Sequence, residues 1–259
     1  MPKLRAFLIA SVVASSALVV GIHEASADAA AEVNSRVEKL AQQKGAEFWL
    51  TVSEMEALGA DAIPALSAAL KRPEANVRLG VAKALYRCGE KKESVAALVT
   101  MVGEKDKTVR RTAADLLADL TRNDANFGNR KEIESVLQDA LDNADDQKFT
   151  IALARALYAV SSNIRAVDDL KKLLKAKDVE VRKDAALALA ELNDFDLAMP
   201  LLKQIAAEPG DKGALARLYI KHKELSDTLM RNLGGGRADK KYAVLDEMIE
   251  MIMKNYVDA

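Results

Sequence analysis

The sequence predicts an all-α protein, an α-solenoid of stacked antiparallel helix pairs, and three observations carry that prediction. Half of the 259 residues are hydrophobic and 30% are charged, while only 4% are aromatic. Ala, Leu, Lys, Asp and Glu dominate, which favours helix and leaves little for a β-sandwich or barrel. Segments of nine residues sharing one apolar pattern recur four times through the middle of the chain. A shorter apolar set precedes three of them at a fixed distance, so the repeating unit is a pair of helices. Units of that kind bury a continuous core by stacking.

The chain opens with the three-part layout of an export signal. Lys3 and Arg5 form a basic n-region, Ala6 to Ile22 carries no charge, and Ala25-Ser26-Ala27 offers small residues for a signal peptidase. Residues 1–27 are therefore expected to be a signal peptide cleaved before Asp28. The alternative is an uncleaved membrane anchor, because the apolar run is nearly long enough to span a bilayer. The region 28–59 reads as an irregular helical pair that caps the array.

The repeats occupy residues 60–232. Their second helices start at Val77, Val109, Phe149 and Val181, and from each start the apolar positions fall at +4, +5 and +8. That spacing is one face of a helix. The +5 residue is always Ala (82, 114, 154 and 186) and the +8 residue always Leu (85, 117, 157 and 189). An acidic residue lies three before each start: Glu74, Asp106, Asp146 and Asp178. Such a residue suits a helix N-terminus, whose free N–H groups and dipole favour an oxygen or a negative charge. First helices are marked by Ile63, Leu66 and Leu70, by Val95, Leu98 and Val102, and by Val167, Leu170 and Leu174. In the third repeat Leu137 and Leu141 are the anchors, and Thr121 to Glu132 reads as a loop insertion. A further unit follows, with Met199-Pro200 and Pro209 copying Ile63-Pro64 and Pro73. Its second helix is expected at about Gly213 to Leu225.

The Val-Arg starts at 77, 109 and 181, the Ala-x-x-Leu after each, and the preceding acidic residue resemble HEAT-type repeats, in particular the short bacterial kind. The resemblance covers about residues 60–225 and implies a right-handed superhelix. It also implies that Arg78, Arg110 and Arg182, with Asp106 and Asp178, are structural residues tying one repeat to the next. Phe149-Thr150 departs from the Val-Arg rule.

After Asn232-Leu233 the pattern stops at Gly234-Gly235-Gly236, within an expected linker over 233–241. No strand precedes these glycines and no Lys-Ser/Thr follows, so they are not a phosphate cradle. Residues 242–259 are expected to form an amphipathic helix with Val244, Leu245, Met248, Ile249, Ile252 and Tyr256 as its stripe. That helix would fold back on the last repeat or serve self-association. Leu245-Asp246-Glu247 through Asn255-Tyr256-Val257-Asp258 also resembles the opening helix of carboxy-terminal processing serine peptidases. This second resemblance implies that the chain is the N-terminal, regulatory or substrate-guiding region of an exported peptidase whose catalytic part lies elsewhere.

The side-chain inventory offers little chemistry. The single Cys, Cys88, excludes an internal disulfide framework, and of the two His only His222 lies outside the leader. A zinc site or a histidine-based triad is not expected, and no catalytic, metal or cofactor residue is assigned. The run from Asp142 to Asp146 lacks the Gly and the final Glu of a calcium loop. A formal net charge of −1 argues against nucleic-acid binding by bulk electrostatics. With the leader, it also disfavours a HEAT-like DNA repair or bilin lyase role. The expectation is an exported, non-catalytic scaffold for a protein or peptide partner, with no membrane insertion after cleavage. The second helices would line its concave side. On them Lys83, Tyr86, Arg111, Arg155, Tyr158 and Lys183 fall off the buried face and are the expected contact residues.

Overall fold

The computed structural model describes residues 27–232; residues 1–26 and 233–259, where nearly all of the expected leader, the linker and the amphipathic tail fall, lie outside the described residues. Among the described residues there are twelve α-helices and no strand. The N-terminal pair is α1 (27–40) and α2 (Gly45–Glu56). The repeats contribute α3 (Ile63–Ala69), α4 (Ala75–Cys88), α5 (Lys91–Val102), α6 (Lys107–Thr121), α7 (Arg130–Asp142), α8 (Gln147–Ser161), α9 (Ile164–Leu173) and α10 (Val179–Glu191). The last pair is α11 (Met199–Ala206) and α12 (Asp211–Asn232). The chain divides into two compact units, Met1–Ala188 and Leu189–Ala259.

The helices begin and end where local chemistry directs. The Asp106 carboxylate accepts from the N–H groups of Thr108 (2.8 Å) and Val109 (3.2 Å), and Asp146 accepts from Phe149 N–H (2.8 Å). Asp178 accepts from Glu180 N–H at 2.8 Å. Glu74 departs from this pattern. It stands at the N-cap of α4 but makes no capping bond, and both its oxygens accept from Arg72 at 3.1 Å instead. At the other end of α4 the chain turns through Gly89 at φ +113°, with Gly89 N–H donating to Tyr86 O and Glu90 N–H to Leu85 O. This Schellman closure needs a left-handed residue. Asn193 (φ +61°) takes the same role after α10, where Asp194 N–H donates to Leu189 O at 2.9 Å.

In the first unit the helices form two layers. The second helices α4, α6 and α8 pack side by side, with α2 against α4. The first helix α5 packs against both α4 and α6, α7 against α5 and α8, and α9 against α8. Pairs stacked in this order make an α-solenoid. All twelve side chains at +4, +5 and +8 of the four repeats are completely buried: Val81, Ala113, Leu153 and Ala185, then the four Ala and the four Leu. The small +5 residue lets helices approach, and at α4 the approach is closer still. A Cβ on Gly80 would lie 2.8 Å from Val52 Cγ2 of α2 and 3.0 Å from Phe48 Cζ. The irregular N-terminal pair therefore shares one core with the first repeat, joining Val33, Val37, Leu40, Phe48, Val52 and Met55 to Leu66, Val77, Val81 and Leu85. Ser94, buried in α5, satisfies its hydroxyl on Ala82 O at 2.6 Å.

The insertion between α6 and α7 is anchored. Phe127 is fully buried, and the Arg130 guanidinium stacks 4.9 Å from its ring. Arg130 also donates to Val160 O (2.8 Å) and to Asp124 O (3.0 Å), fixing the segment against α8.

In the second unit α11 packs on α12 over a core of Phe195, Ala198, Leu202, Ile205 and Ala216. Helix α12 continues to Asn232, well past the expected end near Leu225. The residues after 225 carry no Gly or Pro before 233, so nothing local stops the helix. Its entry is tight: a Cβ on Gly213 would lie 2.0 Å from Glu208 O.

Candidate interaction surface

The recurring arginines divide two tasks, closing the turn inside a repeat at Arg78 and Arg182 and reaching the next repeat at Arg78 and Arg110. Arg78 donates to Arg72 O (2.9 Å) and Pro73 O (2.7 Å), and its other terminal nitrogen to Glu104 (2.6 Å) in the turn of the following repeat. Arg182 repeats the carbonyl pattern with Ala176 O (2.7 Å) and Lys177 O (2.9 Å). Arg110 pairs with Asp145 and with Asp146 (3.4 Å), and its guanidinium stacks 4.5 Å from Phe149. The phenylalanine that breaks the Val-Arg rule is thus the platform for the preceding repeat's arginine. Asp106 and Asp178 act on their own helices as caps. Arg217 of α12, which carries no Val-Arg signature, donates to Ala206 O at 2.6 Å and so closes the turn of the last pair on a carbonyl, as Arg78 does in the first repeat.

The residues expected to face a partner fall into a more connected pattern than their spacing suggested. The +6 register carries Lys83 on α4, Asp115 on α6 and Arg155 on α8. Lys83 Nζ lies 2.9 Å from Glu56 of α2 and 5.6 Å from the Trp49 ring centroid. Arg155 forks across two carboxylates of α6, reaching Asp115 at 2.5 Å and Asp119 at 2.8 Å. Charge alternates across the four helices, negative on α2, positive on α4, negative on α6 and positive on α8, so each side chain is held by its neighbour. Burial pushes the Asp115 carboxyl above its usual range, with Arg155 pulling the other way. Arg111, one turn before Asp115, is half-buried, as is Tyr158 near the end of α8. Lys183 pairs with Glu180 on its own helix at 3.3 Å.

Tyr86 differs from the expectation of an open aromatic side chain. It is only 5% exposed, and its hydroxyl donates to Asp124 at 2.6 Å. Lys91 Nζ lies 2.6 Å from the same carboxylate and 5.7 Å from the Tyr86 ring. Burial first and the Asp124 bond second push the Tyr86 hydroxyl far up, while Lys91 and Tyr86 hold the Asp124 carboxyl well below the ordinary range. The inserted loop folds over this tyrosine, which is why Tyr86 and Tyr158 share a register and not an environment. Glu56, Asp115, Asp119 and Asp124 were not singled out by sequence reasoning. The signal available for Asp115 was its place in the same +6 register as Lys83 and Arg155.

Other groups are isolated. Burial raises the Cys88 thiol, whose Sγ lies 3.8 Å from Met55 O and from Glu56 O. His222 is half-buried on α12. Among the described residues no three His, Cys, Asp or Glu side chains converge as metal ligands. No helix among them is long and apolar enough to cross a membrane. An open depression of about 310 Å³ on the first-helix layer is lined by Lys131, Glu134, Ser135, Gln138, Asp139 and Asn163.

No functionally curated protein matches the chain. Among solved structures it is similar to a chain of the complex of CpcE and CpcF of phycocyanin lyase from Nostoc sp. PCC7120. The match has 18% identity and a TM-score of 0.50, covers 84% of this chain and 94% of that one, and establishes likeness of fold alone. The sequence family of HEAT repeats matches residues 49–118 and 133–220, more than half of the chain. With the stacked pairs, the buried Ala and Leu registers and the arginine-closed turns in view, this chain belongs to the HEAT-repeat family.

Proposed function

We propose that the protein is an exported, non-catalytic scaffold that holds a protein or peptide partner on the face formed by its second helices. The observation that carries this reading is the alternating row of Glu56, Lys83, Asp115 and Arg155, one held side chain on each of α2, α4, α6 and α8. Side chains fixed by neighbours lose less conformational entropy on binding than free ones, so such a row is preorganised for contact. Trp49 and Tyr158 flank it as partly exposed aromatics, the residue type that anchors interfaces. Stacked repeats present their equivalent positions as one extended surface suited to a long partner. The structural neighbour is itself a component of a two-protein complex, which is in keeping with the reading. Export rests on the basic, apolar and Ala-x-Ala layout of residues 1–27.

The test places a photo-crosslinking amino acid at position 111 or 158 and, for comparison, at position 138 on the first-helix layer, in cells with the native envelope. Partner adducts from 111 and 158, weakened by reversing the charge of Arg111 and Arg155 together, are the expected result. Adducts only from 138, or capture unchanged by the reversals, would overturn the assignment of this face.

A further inference from the structure

Among the described residues the second unit ends in a helix much longer than its partner. Helix α11 has 8 residues and α12 has 22. At 1.5 Å per residue these are about 12 Å and 33 Å, so most of the length of α12 exceeds what α11 can cover. One side of α12 is buried at Ala216, within the core that includes α11 residues. A different side carries Leu215, Leu218, His222, Leu225 and Leu229, spaced alternately by three and four residues. Leu215 is 37% exposed and Leu225 45%, and the other three are half-buried. This is the seam pattern of a two-helix contact, with Leu215 and Leu225 exposed along it.

We infer that this seam is the docking face for residues 242–256 of the same chain, which complete an antiparallel pair with α12. The downstream sequence repeats the pattern: Tyr242, Leu245, Ile249, Ile252 and Tyr256 follow the same alternation of three and four. Run antiparallel, the two rows interlock over four pairs in the register that sets Leu218 against Tyr256, His222 against Ile252, Leu225 against Ile249 and Leu229 against Leu245. That register leaves residues 233–241 as the connection, including Gly234, Gly235 and Gly236. Nine residues reach at most about 30 Å, ample for the roughly 8–10 Å between packed helix axes. Charge agrees. Helix α12 carries five basic and three acidic residues, whereas residues 242–259 carry four acidic and one basic. A second copy of the chain offers the same apolar row, but a tethered segment acts at an effective concentration of about millimolar and outcompetes it. The inference stands independently of the proposed partner face on the second helices of the first unit.

The experiment uses the full chain with Cys88→Ala and compares the Leu225→Cys/Ile249→Cys pair with Leu225→Cys/Lys254→Cys, in which position 254 lies on the opposite side of the downstream helix. Facing positions fall within disulfide reach, so at low protein concentration the first pair closes intramolecularly about tenfold faster or more. Equal rates for the two pairs, no disulfide, or covalent dimers as the main product of the first pair would overturn the inference. Hydrogen exchange on the unsubstituted chain gives a second readout. Removing residues 233–259 should speed exchange over 218–230 by about tenfold, and unchanged exchange would overturn the docking.

Discussion

Replacing Gly80 by Ala tests how closely the N-terminal pair is packed on the first repeat. In an open helix the change gains about 1 kcal/mol, because Gly loses more backbone freedom on folding than Ala does. Here the added Cβ would sit 2.8 Å from Val52 Cγ2, 3.0 Å from Phe48 Cζ and 3.2 Å from Leu40 Cδ1. Val52 and Leu40 are fully buried and Phe48 nearly so, and the β-branched Val52 has little rotamer freedom with which to yield. Overpacking of this kind costs about 1–3 kcal/mol, so the steric term wins and the net loss is about 1 kcal/mol. For a chain of this size that corresponds to a Tm lower by about 2–4 °C. A double-mutant cycle isolates the cause. Val52→Ala removes the closest atom at a cost of its own, and in that background Gly80→Ala should become neutral or stabilising, with a coupling of about 1–3 kcal/mol. Thermal and urea unfolding followed by helical circular dichroism measure all four proteins. A Gly80→Ala chain more stable than its parent, or a cycle without coupling, would refute the close approach of α4 to α2.

Phe127→Ala should destabilise by about 3–5 kcal/mol in urea unfolding, far beyond what an unanchored loop residue would give, because the side chain is fully buried. Asp106→Ala should cost about 1 kcal/mol through its lost cap, and Glu74→Ala, whose side chain caps nothing, distinctly less; equal losses would refute the assignment. Asp124 has a folded pKa below its unfolded value near 4, so its stabilisation is present above about pH 4 and is lost as pH falls through the folded value. The stability difference between the parent and Asp124→Asn should therefore stay constant from about pH 8 to pH 5 and shrink only in stronger acid. A difference that disappears near pH 6 would contradict the Lys91–Asp124–Tyr86 arrangement.

The periodicities legible in the chain were those set by helix geometry alone. A helix repeats every 3.6 residues, so positions +4, +5 and +8 had to share a face, and recurring Ala and Leu there could only be a packed seam. The caps at Asp106, Asp146 and Asp178 were legible for the same local reason. Glu74 was not, because its fate depends on Arg72 lying within reach of both carboxylate oxygens. The polar face was legible only in part: spacing showed that Lys83, Arg155 and Tyr86 stand off the core seam, but not what lies across from them.

By itself, then, the sequence determined the helix pairs, their stacking residues and the class of fold, since these follow from contacts within a turn or between neighbouring turns. Tertiary structure alone decided that Arg155 is held by two carboxylates of α6, that Phe127 pins the inserted loop, and that Tyr86 lies beneath it. Those outcomes depend on which side chains from residues 30 to 40 positions apart arrive at the same place, and no local pattern carries that distance.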